Sequence, residues 1–125
     1  MLQKYLPSIA AILCGFSIVT GAILSHILSP YISQKSIHLI ELGSTYLFWH
    51  GLAILIHQCC LHLKWSRWHW ISYTFLIGAC IFSGTLICYA LTNIIEFTHI
   101  TPIGGFTLIL SWFILAFDMI LHKET

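Results

Sequence analysis

Eight histidines, five cysteines and a single aspartate, Asp118, are the groups of this chain best suited to chemistry. His57, Cys59, Cys60 and His62 are crowded enough to suggest a tetrahedral metal site. On a helix, however, Cys59 and His62 face away from His57 and Cys60, so the four cannot close around one ion. The cysteines are odd in number and scattered through apolar runs, where Cys serves as a small hydrophobe. The residues therefore predict no disulfide framework, no metal site and no resident cofactor. Two further arrangements remain. His26 and His50 could ligate a haem between two helices. Asp118 and His122 stand four residues apart, the spacing of an ion pair on one helix face.

The elements that would carry these groups follow from composition. The 125 residues are 58% hydrophobic and 7% charged, against about 25% charged in soluble domains. Five Lys/Arg and four Asp/Glu cannot clothe a water-exposed surface of this size, so lipid must be the main solvent. A net charge of +1 leaves no basic stripe for nucleic acid. A spanning helix needs roughly 20 apolar residues, and four stretches qualify: 5–28, 42–63, 70–91 and 102–121. This predicts an all-α transmembrane four-helix bundle in one domain.

Pro30 should end the first span, because the residue before a proline is steered away from helix. Trp65, Trp68 and Trp70 mark an interfacial belt at the turn between the second and third spans. The first span is too long, and lacks the small-residue cleavage pattern, for a signal peptide. Lys4, Lys64, Arg67 and Lys123 share one side, with Lys35 alone on the other. The positive-inside rule then puts both termini in the cytoplasm of a bacterial cell membrane and residues 30–41 and 93–101 outside.

In lipid, helices associate through small residues and through polar side chains that find partners. At 100° per residue, the first span aligns Ser8, Ala11, Gly15, Ala22 and His26 within about 60°. The second aligns Tyr46, His50, Ala53, His57, Cys60 and Lys64. The third carries two stripes, one with Thr74, Gly78, Thr85, Tyr89 and Thr92, the other with Ser72, Ala79, Ser83 and Ala90. The fourth aligns Gly104, Thr107, Ser111, Asp118 and His122. All are expected to face inward, with Gly15, Gly21, Ala22, Ser83, Gly84 and Ser111 at helix contacts. Near the cytoplasmic end, His57, Lys64, Asp118 and His122 form a second polar cluster, in which Asp118 pairs with Lys64 or His122 rather than remain a lone buried carboxylate.

The string Thr101-Pro102-Ile103-Gly104-Gly105 reads as the entrance to the fourth span, with Thr101 as cap and Pro102 in the first turn. Paired glycines there cost around 1 kcal/mol each relative to alanine. Something must offset them, either a closely packed helix or a ligand at the N–H groups.

"GAILSH", "YLFWHGLA", "FSGTL" and "TPIGG", in this order and spacing, resemble the small bacterial membrane family catalogued as domain of unknown function 423. The resemblance runs from Gly21 to Phe117 and implies a multi-span membrane protein with no established activity. Gly21, Ala22 and His26, then Tyr46 and His50, then Phe82, Ser83 and Gly84 correspond to family motifs. Leu24, Ile87 and Ser111 replace a glycine, a tyrosine and a glycine of the family pattern.

Topology and motif together predict a polar pocket toward the outer leaflet, formed by His26, Tyr46, His50, Tyr89, Thr101, Gly104 and Gly105. The leading expectation is a non-enzymatic interaction, assembly or lipid-associated factor, with the bilayer, a membrane protein or a second copy as partner. The alternatives are a proton or small-solute transporter working through intramembrane His and Asp, and the haem-binding carrier. Transport is disfavoured by spans that no proline interrupts.

Overall fold

The computed structural model describes residues 2–122 and is helical throughout. A 3₁₀ turn, Leu2–Tyr5, leads into α1 (Leu6–Ile23), whose last turn widens to a π-helix over Leu24–Leu28. Then follow α2 (Gln34–His62), α3 (Ile71–Thr92) and α4 (Glu96–Leu121). All four are long and apolar enough to cross a membrane. Close backbone approach runs in chain order, α1 on α2, α2 on α3, α3 on α4. In α2 and α3 44% and 39% of the spanning window is buried, against 22% in α1 and 28% in α4, so the two middle helices form the centre. Gln3 bonds to His69, and Asp118 bonds to the α2–α3 turn. Both ends of the described chain thus lie beside the tryptophan-rich turn. Lys123, counted above for orientation, lies outside the described residues.

Two helices start earlier than the predicted spans. The helix that carries the second span begins at Gln34, ahead of Leu42, because Ser33 caps it by accepting the Ser36 N–H at 3.1 Å. Residues 34–41, expected in an outer loop, are helix. The helix that carries the fourth begins at Glu96, ahead of Pro102, after Asn93 turns the chain with a positive φ of 56°. Pro102 therefore lies inside α4, and Thr101 is no cap. Its hydroxyl bonds back to the Phe97 carbonyl at 2.9 Å and lies 2.7 Å from the Thr85 hydroxyl of α3. Pro102 cannot donate to the carbonyl four residues earlier, but so near the helix start this costs less than in mid-helix.

The glycines reveal how the helices meet. A Cβ on Gly104 would come within 2.4 Å of the Phe82 main-chain nitrogen. One on Gly78 would meet Leu108 at 2.8 Å, and one on Gly51 would meet the Cys14 sulfur at 2.6 Å. Of the two explanations for the paired glycines, close packing of α3 against bare backbone is the one that applies to Gly104. Gly15, Gly21 and Gly84, expected at helix contacts, have nothing within 4 Å of a Cβ position.

Three of the four predicted faces turn inward as expected. The exception is α1. Ser8, Ala11, Gly15, Ala22 and His26 are exposed or nearly so, whereas Leu6, Ala10, Cys14, Ser17 and Leu24 on the opposite face are buried. Both faces of α1 carry small residues, and the missing side chain at Gly51 decides between them by admitting Cys14. Leu24, where the family pattern has glycine, packs with Ile40 and Ala90.

Candidate functional site

At the tryptophan end, Asp118 and His57 are fully buried. Asp118 Oδ2 accepts the Ser66 hydroxyl, the Arg67 N–H at 3.0 Å and the Trp68 N–H at 3.3 Å. His57 Nε2 lies 3.0 Å from the Ser66 hydroxyl, and its Nδ1 lies 2.6 Å from the Ser72 hydroxyl, which also accepts from Gln58 at 2.8 Å. An amide N–H only donates and a carboxylate only accepts, which gives the chain one direction. Gln58 donates to Ser72, Ser72 to His57 Nδ1, His57 Nε2–H to Ser66, and Ser66 to Asp118. The run spans α2, the connecting turn, α3 and α4. His122 Nδ1 stands 2.8 Å from Asp118 Oδ1 and 2.8 Å from the Asp118 main-chain oxygen.

Of the predicted cytoplasmic-end cluster, His57, Asp118 and His122 meet. Lys64 does not. It is exposed in the turn, at a positive φ of 61°. Asp118 is held by two main-chain N–H groups and by Ser66, none of which was singled out from the sequence. The available signal was the short turn Ser66-Arg67-Trp68, whose N–H groups need acceptors once folded between helices.

The predicted outer pocket divides. Tyr46, His50 and Gly105 line one cavity of about 320 Å³ together with Phe82 and Trp112. Tyr89 and Thr101 line a second, of about 330 Å³, with Phe82 between the two. Gly104 opens onto neither and seals the α3–α4 contact. His26 is exposed and apart from both. His50 is level with Cys14, whose sulfur bonds to the Phe48 carbonyl. Twelve residues of α1 separate Cys14 from His26, about 18 Å of rise. His26 and His50 cannot share one iron, and the haem arrangement is set aside on that geometry.

His50 itself is 16 residues into α2, about 24 Å from the helix start, so its cavity lies near the middle of that helix. His50 Nδ1 donates to the Tyr46 carbonyl at 2.7 Å, which leaves Nε2 to accept the Trp112 indole N–H at 3.2 Å. Tyr46 packs on Phe82 and Trp112 on Phe75, both with ring centroids 4.9 Å apart. Trp49, Ile109 and Trp112 are exposed at the mouth, so the cavity opens sideways toward lipid. Among the packing residues, Ser111 donates to Thr74 at 2.8 Å and joins α3 to α4, and the Ser83 carbonyl lies 3.2 Å from a Cβ placed on Gly43.

A profile of the family described as protein of unknown function (DUF423) matches residues 20–105. The chain is 29% identical over 125 residues to a UPF0382 inner membrane protein, YgdD, of Escherichia coli K12, covering 99% of this chain and 95% of the relative. It is 31% identical over 114 residues to a UPF0382 membrane protein of Staphylococcus epidermidis, with 91% and 93% covered. A UPF0382 membrane protein of Staphylococcus aureus is 33% identical over 113 residues, with 90% and 93% covered. No solved structure matches. With four spanning helices and membrane-protein relatives along nearly its whole length, the chain is a multi-pass cell-membrane protein, and it belongs to the DUF423 family.

Proposed function

We propose that this chain is a non-enzymatic, lipid-associated membrane protein that holds the apolar part of a lipid-phase molecule in the cavity beside His50. The observation that carries the reading is the cavity itself, about 320 Å³ walled by Tyr46, Phe82 and Trp112 and open to the bilayer. That volume is at the small end for ligand sites and fits a ring or a chain segment rather than a whole lipid. Aromatic walls favour a flat or unsaturated group through offset or edge contacts. His50 works here as a fixed strut, since both ring nitrogens are engaged.

The polar groups do not line up for transport. The directed chain ends at Gln58, and fully buried Ile54 and Phe75 belong to the packed core between the His57 and His50 levels. His26 is remote. Nor, among the described residues, does any serine pair with a base and an open cavity as acyl transfer requires: Ser66 and Ser72 are buried and committed to the network. By the positive-inside count, the tryptophan end faces the cytoplasm. A second reading, assembly with another membrane helix, is favoured by the exposed small stripe Ala11, Gly15 and Ala22 on α1.

The test is native mass spectrometry and lipid extraction on protein released in mild detergent, with Gly105→Leu as the filling variant. A Cβ at Gly105 makes only ordinary contact with the Phe82 ring, at 3.4 Å, so the variant should fold. Wild type is expected to retain a lipid-phase molecule that Gly105→Leu loses at an unchanged melting temperature. Equal retention by both would refute the reading. Disulfide crosslinking between copies carrying Gly15→Cys in a cysteine-free background tests the assembly reading.

A further inference from the structure

Along α2, on the side facing α1 and at the end remote from the tryptophans, lies a groove of about 340 Å³. Its floor and walls are Ser17, Gly21, Ser44, Phe48 and Ile18, and its rim carries Glu41 and Thr45. Three polar groups here lack partners. Ser44 is 6% exposed, and its buried hydroxyl makes no hydrogen bond. Among the described residues the ion pair present is His122 with Asp118, so Glu41 has none. Lys35, the nearest lysine along α2, is turned toward α3, its ammonium 3.1 Å from the Tyr89 hydroxyl. Helical hydroxyls elsewhere in the chain bond one turn back, as Thr20, Ser25, Thr92 and Thr107 do, whereas Thr45 makes no such bond.

Depth identifies what would meet these groups. From Glu41 to the end of α2 at His62 is 21 residues, a rise of about 32 Å, close to the thickness of the hydrocarbon layer. With the tryptophan belt at one interface, Glu41 stands at the other, at headgroup level. The geometry points to a binding site for the primary-ammonium headgroup of an ethanolamine phospholipid. Its ammonium offers three N–H donors, which the Glu41 carboxylate and the Thr45 hydroxyl on the exposed rim can accept. An acyl chain leaves along Ile18 and Phe48, over the space that Gly21 keeps open. A choline headgroup has no N–H to offer, and a glycerol headgroup offers hydroxyls but no cation, on a lipid of net negative charge.

The experiment is lipid exchange into nanodiscs of the full chain, read by native mass spectrometry. The lipids are phosphatidylethanolamine, its mono- and dimethylated derivatives, phosphatidylcholine and phosphatidylglycerol. Retention is expected to fall stepwise with methylation, by about fivefold from ethanolamine to choline, the scale of a partly exposed ion pair. Glu41→Gln should bring that ratio close to one while the melting temperature holds, and Thr45→Val should lower it in part. Gly105→Leu should leave it unchanged, which separates this site from the cavity beside His50. Equal retention of all headgroups by wild type would overturn the assignment. So would a crosslinked dimer that depends on Glu41, since the groove would then belong to a second copy.

Discussion

The two ends of α2 treat polar groups in opposite ways. At one end His57 is completely buried with both ring nitrogens bonded, in a directed chain that ends on a carboxylate holding the α2–α3 turn. At the other, Glu41 and Thr45 stand exposed on the rim of a groove and the Ser44 hydroxyl is buried beneath it, none with a partner of its own. A polar group withdrawn from water and left unpaired costs about 1–3 kcal/mol, more if charged. The first end avoids that cost through neighbouring helices and therefore behaves as a staple. The second leaves it to be met by something outside the chain. Saturation marks structure at the first end; at the second, an unpaired carboxylate beside an open groove leaves room for a ligand.

The comparison is broken most severely at Asp118. Asp118→Leu deprives Ser66 and the Arg67 and Trp68 N–H groups of their acceptor, and we expect a loss of about 3–5 kcal/mol in mixed-micelle unfolding, or no folded protein. Asp118→Asn, which keeps one accepting oxygen, should fall between this and wild type. Next comes Gly104→Leu, whose Cβ would overlap the α3 backbone at Phe82. It should cost about 1–3 kcal/mol or more by the same assay. Smaller, and of opposite sign, is Gly15→Ala. With open space around it, removal of the glycine should stabilise α1 by about 0.5–1 kcal/mol in thermal melts. The least effect on stability belongs to Glu41→Gln, within about 0.5 kcal/mol. Should that variant instead destabilise as strongly as Asp118→Leu, Glu41 would be a staple as well and the contrast would vanish.

Much of the architecture could be read from the residues. Length and apolar density located four spans, and the angular stripes oriented α2, α3 and α4, because a single direction collects the polar and small side chains in α2 and α4, and in α3 the two stripes face its two neighbours. The α1 stripe failed for the same reason in reverse: Ala10, Cys14 and Ser17 are as small as Ala11, Gly15 and Ala22, so periodicity alone had no preference. The helix starts at Ser33 and Glu96 were missed because polar residues at helix ends look like loop in a hydropathy reading. The predicted pocket joined residues by motif and span end. It ignored that His26 and His50 differ in depth by about 18 Å.

The sequence by itself determined that lipid is the solvent, that four helices cross it, and that Asp118 had to find a partner, since charge in hydrocarbon is costly wherever the helix is placed. Only the tertiary structure decided which partner. Ser66 and two backbone N–H groups come from a turn 50 residues away in the chain, and no spacing rule reaches that far. It also decided which glycines are contacts and which are open space, because that depends on the helix opposite. The empty valences of Glu41 and Ser44 came to light in the same way, for a group is unpartnered only when every neighbour is known.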